Sequence, residues 1–232
     1  MTPGLEPAGR DTPSGVTAEP AIDIRDVSKR YGPRWALARL SYSLPRGRSL
    51  LLTGHNGSGK TTLLRLIATA SFPTAGKLAV LGKDSRDDRD AIRHQVALLS
   101  HASFLYEDLT ASQNLIILGR LMGLTEPAKD AAALLDRVGL TERTDQPVRQ
   151  FSAGMRKRVA IARLLLKAPS LALLDEPFGE LDPAGIAQME SLIGELKSRG
   201  TTLVLATHQI DQGLKLTEAR LHLENGRIAE AA

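Results

Sequence analysis

"SLLLTGHNGSGKTTLLRLIAT", residues 49–69, joins a short apolar run to a glycine-bearing loop and then to a helical pattern. Residues 49–54 read as a buried strand ending in Gly54. From Gly59 to about Thr69, Leu63, Leu66, Ile67 and Ala70 recur at helical spacing. Between them, Gly54-His55-Asn56-Gly57-Ser58-Gly59-Lys60-Thr61 fits G-x-x-x-x-G-K-[ST] at every fixed position. Glycines let the backbone curl until successive N–H groups point inward and form a nest for phosphate oxygens. The helix that follows, through Thr62, adds its partly positive N-terminus. Lys60 offers a point charge to the outer phosphates, and the Thr61 hydroxyl is a hard oxygen ligand suited to Mg2+. Strand, loop and helix in this order point to a nucleotide-binding α/β core.

Outward from this stretch the chain keeps the same grammar. Upstream, "AIDIRDVSKRY" and "ARLSYSLPRG" alternate apolar and polar residues, as half-buried strands do. Downstream, "VALL" (96–99), "LALL" (171–174) and "LVLA" (203–206) are short apolar runs of the kind buried in a parallel sheet. Residues 103–166 differ: "TASQNLIILGRLMGL" and "AKDAAALLDRVGL" carry a helical period, with Ala131, Leu134, Leu135 and Val138 on one face. The expected architecture is a mostly parallel sheet with N-terminal antiparallel strands and a helical subdomain inserted over about 103–166. Residues 1–20 contain seven Pro and Gly and no apolar run; they read as a disordered tail before one domain over 21–232.

Composition excludes several classes. The 232-residue chain is 42% hydrophobic and 24% charged, with 3% aromatic residues. There is no cysteine, which excludes disulfides, thiolate metal sites and haem attached to this chain through Cys-x-x-Cys-His. The formal net charge of +4 is slight for a protein that grips a phosphate backbone, so no direct nucleic-acid partner is expected. No stretch of about 20 apolar residues is available to span a bilayer.

Two further stretches end apolar strands in reactive side chains. "LALLDEP" (171–177) leaves Asp175 and Glu176 at a strand mouth, where a carboxylate is costly without a charged partner. Mg2+ suits Asp175, and Glu176 could orient or deprotonate a water attacking the terminal phosphate. Alternatively, Asp175 caps a helix beginning at Pro177. "TTLVLATHQ" (201–209) places His208 at the equivalent strand end, where open parallel sheets hold their ligands. A second loop, "FSAGMRKRV" (151–159), also suits an anion. In the plainer reading, Ser152 only N-caps a helix whose Arg156, Lys157 and Arg158 are solvated charges.

Taken together, these stretches resemble the ATP-binding subunit of ABC transporters, from about residue 22 to 228. The resemblance implies ATP and Mg2+ as cofactors, with Tyr31 stacking on adenine and Thr61 and Asp175 on the metal. It makes Glu176 the catalytic carboxylate, His208 the switch histidine, and Asp182 of "GELD" the residue communicating between sites. Ser152 and Gly154 would reach the terminal phosphate held by a second copy, giving a head-to-tail pair. Integral membrane subunits at the cytoplasmic face would complete the complex, with contact near Phe104–Tyr106. Soluble members acting on ribosomes or DNA fuse two copies or insert long coiled coils, neither of which is present.

Three positions depart from the family pattern. "FSAGM" replaces Leu-Ser-Gly-Gly-Gln, so Ala153 adds a methyl group and Met155 loses an amide. His101 stands where a magnesium-sensing glutamine is usual, which makes it a candidate metal contact able to reach a metal-bound water as donor or ligand, and Gly179-Glu180 replaces two small residues. "LLSHASFLYEDLTASQNL" with "DQPVRQFSAGMRKRVAIARLLL" resembles the haem exporter ATPase of bacterial cytochrome c maturation. On that resemblance haem would be handled only indirectly, through membrane partners; drug or polysaccharide exporters share most of the same residues and are the alternative.

Overall fold

The computed structural model describes residues 19–100 and 104–231. The tail expected over 1–20 therefore lies almost wholly outside the described residues, as does His101. Strands β1 (Ile22–Tyr31) and β2 (Arg34–Leu44) pair antiparallel, followed by β3 (Ser49–Thr53) and helix α1 (Lys60–Ile67). Strands β4 (Ala75–Val80) and β5 (Lys83–Asp84), helix α2 (Arg89–Gln95) and strand β6 (Val96–Leu99) complete the first half. Three helices, α3 (Ala111–Leu121), α4 (Pro127–Arg137) and α5 (Ala153–Lys167), then run before the chain returns to sheet. The remainder is β7 (Leu171–Asp175), α6 (Pro183–Ser198), β8 (Thr202–Ala206), α7 (Ile210–Leu216), β9 (Ala219–Glu224) and β10 (Arg227–Ala231).

Two sheets result. One is antiparallel, in the order β2-β1-β4-β5; the other runs β10-β9-β3-β8-β7-β6. In the second, β6, β7, β8, β3 and β9 are parallel, and β10 turns back against β9. Every residue of β3, β7 and β8 is buried, which is why these strands read as unbroken apolar runs. Alternation survives in their packing. Leu50, Leu52, Leu173 and Val204 face the core shared with α1 and the antiparallel sheet, whereas Leu51, Leu174, Leu203 and Leu205 face the opposite core, with Leu51 against α7. Each such leucine contributes about 2 kcal/mol by burial.

Helix α3 starts at a complete capping box: the Thr110 hydroxyl accepts from the Gln113 amide, and the Gln113 side-chain oxygen accepts from the Thr110 amide. Ala131, Leu135 and Val138 are buried as their spacing implies. Two readings need correction. Helix α1 stops at Ile67, and Thr69 enters the left-handed region, so Ala70 is exposed rather than on the buried stripe. No helix begins at Pro177; residues 176–181 form a turn, and α6 begins at Pro183 with Asp182 as its N-cap.

Candidate functional site

The loop between β3 and α1 is shaped by what cannot fit there. Gly59 has φ +110°, and a Cβ at that position would stand 2.6 Å from Leu37 Cδ2 and 2.8 Å from the Ala36 carbonyl oxygen. At Gly54 a Cβ would lie 2.2 Å from the Leu223 carbonyl oxygen. Backbone atoms cannot yield at such distances. Gly59→Ala is therefore expected to lower the unfolding free energy by about 2 kcal/mol or more, read by urea unfolding.

Lys60 is buried, and its Nζ donates to the carbonyls of Gly54 (2.7 Å) and His55 (3.2 Å). This holds the ammonium at the centre of the nest. Thr61 Oγ1 donates to Asp175 Oδ2 at 2.8 Å, and Asp175 is only 5% exposed at the end of β7. Two hard oxygens so placed fit a Mg2+ ion, which takes few protein ligands and completes its shell with phosphate and water. Asn56, Gly57, Gly59, Lys60, Thr62 and Glu176 line the same cavity of about 280 Å3. Gly54 and Ser58 stand behind this wall, and the buried Ser58 hydroxyl has no hydrogen-bond partner.

Strand register brings the carboxylate and the histidine together. Asp175 pairs with Ala206 in the parallel β7–β8 ladder, so the residues that follow each strand lie side by side. Glu176 Oε2 is 2.9 Å from His208 Nδ1 and accepts from the Thr207 hydroxyl at 3.2 Å. Glu176 itself sits at φ +49°, a conformation costing about 1–3 kcal/mol for a residue with a side chain. That turn of the backbone is what brings its carboxylate back toward the phosphate loop.

The second loop forms a separate cavity of about 590 Å3, lined by Ser152, Ala153, Gly154, Arg158, Glu180 and Asp182 among others. No residue lines both cavities. Ser152 does N-cap α5, accepting from the Met155 amide at 3.2 Å, so the plainer reading of that residue is correct as far as it goes. A Cβ on Gly154 would approach the Glu180 carbonyl oxygen to 2.8 Å, which fits this loop tightly against the turn before α6. Asp182 accepts from the Gly185 amide and from Arg158, and these bonds hold its carboxyl below the ordinary range.

Tyr31 closes β1 and is 48% exposed, with the Lys29 ammonium 4.9 Å from its ring centre. Phe104 and Tyr106 are also exposed rather than packed as an aromatic cluster, at 59% and 61%.

Sequence reasoning missed three participants. Lys157, grouped with solvated charges, is 6% exposed and donates from Nζ to the Glu176 carbonyl at 2.8 Å. Ala36 lines the phosphate cavity. Gly226 braces the loop from the β9–β10 turn, donating to the Ser58 carbonyl at 3.0 Å. Only the last had a local signal, since Asn225-Gly226 is a strong hairpin turn pair.

Comparison with known proteins shows the family. The ABC transporter family profile matches residues 37–179. A Nod factor export ATP-binding protein I of Ralstonia nicotianae is 34% identical over 215 residues, covering 92% of this chain and 67% of that protein. A daunorubicin resistance ATP-binding protein of Streptomyces coeruleorubidus is 36% identical, over 91% of this chain and 67% of its own length. An aliphatic sulfonates import ATP-binding protein of Burkholderia lata is 36% identical, over 96% and 67% respectively. Among solved structures, the dimeric post-hydrolysis ATP-binding cassette MJ0796 bound to ADP and Pi superposes with a TM-score of 0.84 at 26% identity, covering 91% of this chain and 97% of that one. An ATP binding subunit of an ABC transporter gives 0.85 at 28% identity, covering 91% and 89%. With its phosphate loop, its carboxylate–histidine pair and these relatives, the chain belongs to the ABC transporter family, as an ATP-binding, ATP-hydrolysing subunit.

Proposed function

We propose that two copies of this chain, facing opposite ways, sandwich two ATP molecules and drive an integral membrane complex from its cytoplasmic face. The observation that carries this reading is the separation of the two cavities within one chain. Lys60 and the loop amides are arranged for phosphates, yet Ser152 and Gly154 line a different cavity and contribute nothing to the first. A second copy supplies the missing donors. The dimeric form of the MJ0796 cassette supports the same assembly.

In this cycle, Lys60 and the amides of residues 57–62 bind the phosphates, Tyr31 stacks on adenine, and Thr61 and Asp175 hold Mg2+. Mg2+ held there would screen the phosphate charge. Contacts from the other copy's Ser152 and Gly154 exist only in the closed pair, so ATP favours closure by differential affinity. Glu176, held by Thr207 and His208, orients the attacking water and accepts its proton. Loss of the terminal phosphate removes the bridge, and the pair reopens. Asp182, beside the second loop, links the two sites.

No helix among the described residues is long and apolar enough to cross a membrane, so contact with the bilayer complex is assigned to a surface. Phe104, Tyr106 and Leu121 are exposed large apolar residues and form the proposed contact with membrane subunits.

The cysteine-free chain gives a clean test. With Ser152→Cys and Asn56→Cys introduced on separate copies, disulfide-linked dimers should form with Mg-ATP and not with ADP. Equal cross-linking with and without nucleotide, or none, contradicts the shared site.

For the cargo, the "FLYEDLTA" and "FSAGM" stretches favour haem delivery in cytochrome c maturation. The three relatives above are described by Nod factor, drug and sulfonate transport instead. Deleting the gene in its host should abolish haem-stained c-type cytochromes and leave drug sensitivity unchanged. The reverse pattern assigns drug export.

A further inference from the structure

Lys157 lies five residues beyond Ser152 on α5 and is buried, which is unusual for a lysine without a carboxylate in contact. Its Nζ donates to a main-chain oxygen, that of Glu176, at 2.8 Å. Three carboxylates, Glu180, Asp175 and Glu176, attract the ammonium without pairing with it directly, while burial pulls its pKa down. A charge in so costly a place needs a purpose that a neutral side chain would not serve.

The group it touches is strained. Glu176 occupies the left-handed region, and its two peptide groups are pinned: the amide donates to the Ala206 carbonyl at 2.8 Å, and the carbonyl accepts from Lys157. Among the described residues, the backbone donor to that carbonyl is the Gly179 amide at 3.3 Å, a longer bond across the turn. Released from Lys157, the peptide can rotate toward extended backbone, which would carry the carboxylate away from Thr207 and His208.

We propose that Lys157 is a positioning residue for Glu176, clamping the strained peptide whose rotation would misalign the carboxylate that orients water. Because Lys157 rides on α5, whose first turn carries Ser152 and Gly154, the clamp also ties Glu176 to the helix that contacts the other copy's ATP. This inference rests on Glu176 carrying the hydrolytic step.

The test is steady-state Mg-ATP hydrolysis by the full chain with four variants. Lys157→Met keeps the stem and removes the donor; kcat should fall about tenfold while KM and the ATP dissociation constant stay within about twofold. Lys157→Arg, which keeps charge and donors, should recover at least a third of the wild-type rate. In a Glu176→Gln background, Lys157→Met should leave the residual rate unchanged, since both act through one group. A tenfold further loss in that background, or wild-type kcat in Lys157→Met alone, overturns the clamp. A raised KM at unchanged kcat does so too. Should Lys157→Met fail to fold, Lys157→Leu, which also lacks a donor, is held to the same criteria. Glu176→Gln alone is the separate control: if it hydrolyses ATP normally, the role given to Glu176 fails whatever Lys157 does.

Discussion

Glu176→Gln is expected to hydrolyse Mg-ATP at least about a hundredfold more slowly than the wild type while binding ATP with affinity within about twofold. The amide keeps the size of the carboxylate and can still meet the Thr207 hydroxyl, which lies 3.2 Å from Oε2. What it loses is the basic oxygen, and with it the means to take a proton from water. Binding is carried elsewhere, by Lys60 and the loop amides, so the effect falls on kcat alone. Single-turnover quench experiments, paired with a fluorescent-nucleotide titration, separate the two quantities. His208→Ala should follow in the same direction with a smaller loss, because it removes the 2.9 Å partner but leaves the carboxylate.

Lys60→Ala is expected to do the opposite. Its ammonium is buried and already held by two loop carbonyls, so it is prepaid in position and needs only to exchange those partners for phosphate oxygens. Losing charge-assisted bonds of this kind should weaken ATP binding about a hundredfold, equivalent to about 2.7 kcal/mol. The fold should persist, since Gly54 and Gly59 and not Lys60 shape the loop. Isothermal titration with ATP and with ADP distinguishes the cases: the loss should be larger for ATP.

The phosphate loop could be read from the sequence because it is local. Its glycines, Lys60 and Thr61 are neighbours in the chain, and the strand before and helix after supply their own periodicity. Glu176 and His208 were legible as strand-end residues, but their 2.9 Å contact depends on the β7–β8 register, which no short stretch encodes. Lys157 illustrates the opposite limit. In "MRKR" three adjacent cations look alike, and only the placement of α5 beside the turn that follows β7 decides that the middle one is inside. Strand β4, with its exposed Ala75, Gly76 and Lys77, gave no alternation to detect; its pairing with β1 and β5 makes it a strand. The brace from Gly226 to Ser58 spans most of the chain and left no trace beyond its turn pair.

The central claim is that ATP joins two copies of this polypeptide, each supplying what the other lacks. Light scattering on the Glu176→Gln chain with saturating Mg-ATP measures it directly. The account predicts a doubling of molar mass that reverses on exchange into ADP, and that is lost when Ser152 is also changed to a bulky Phe. A monomer under all of these conditions, both alone and with the membrane subunits present, would contradict it.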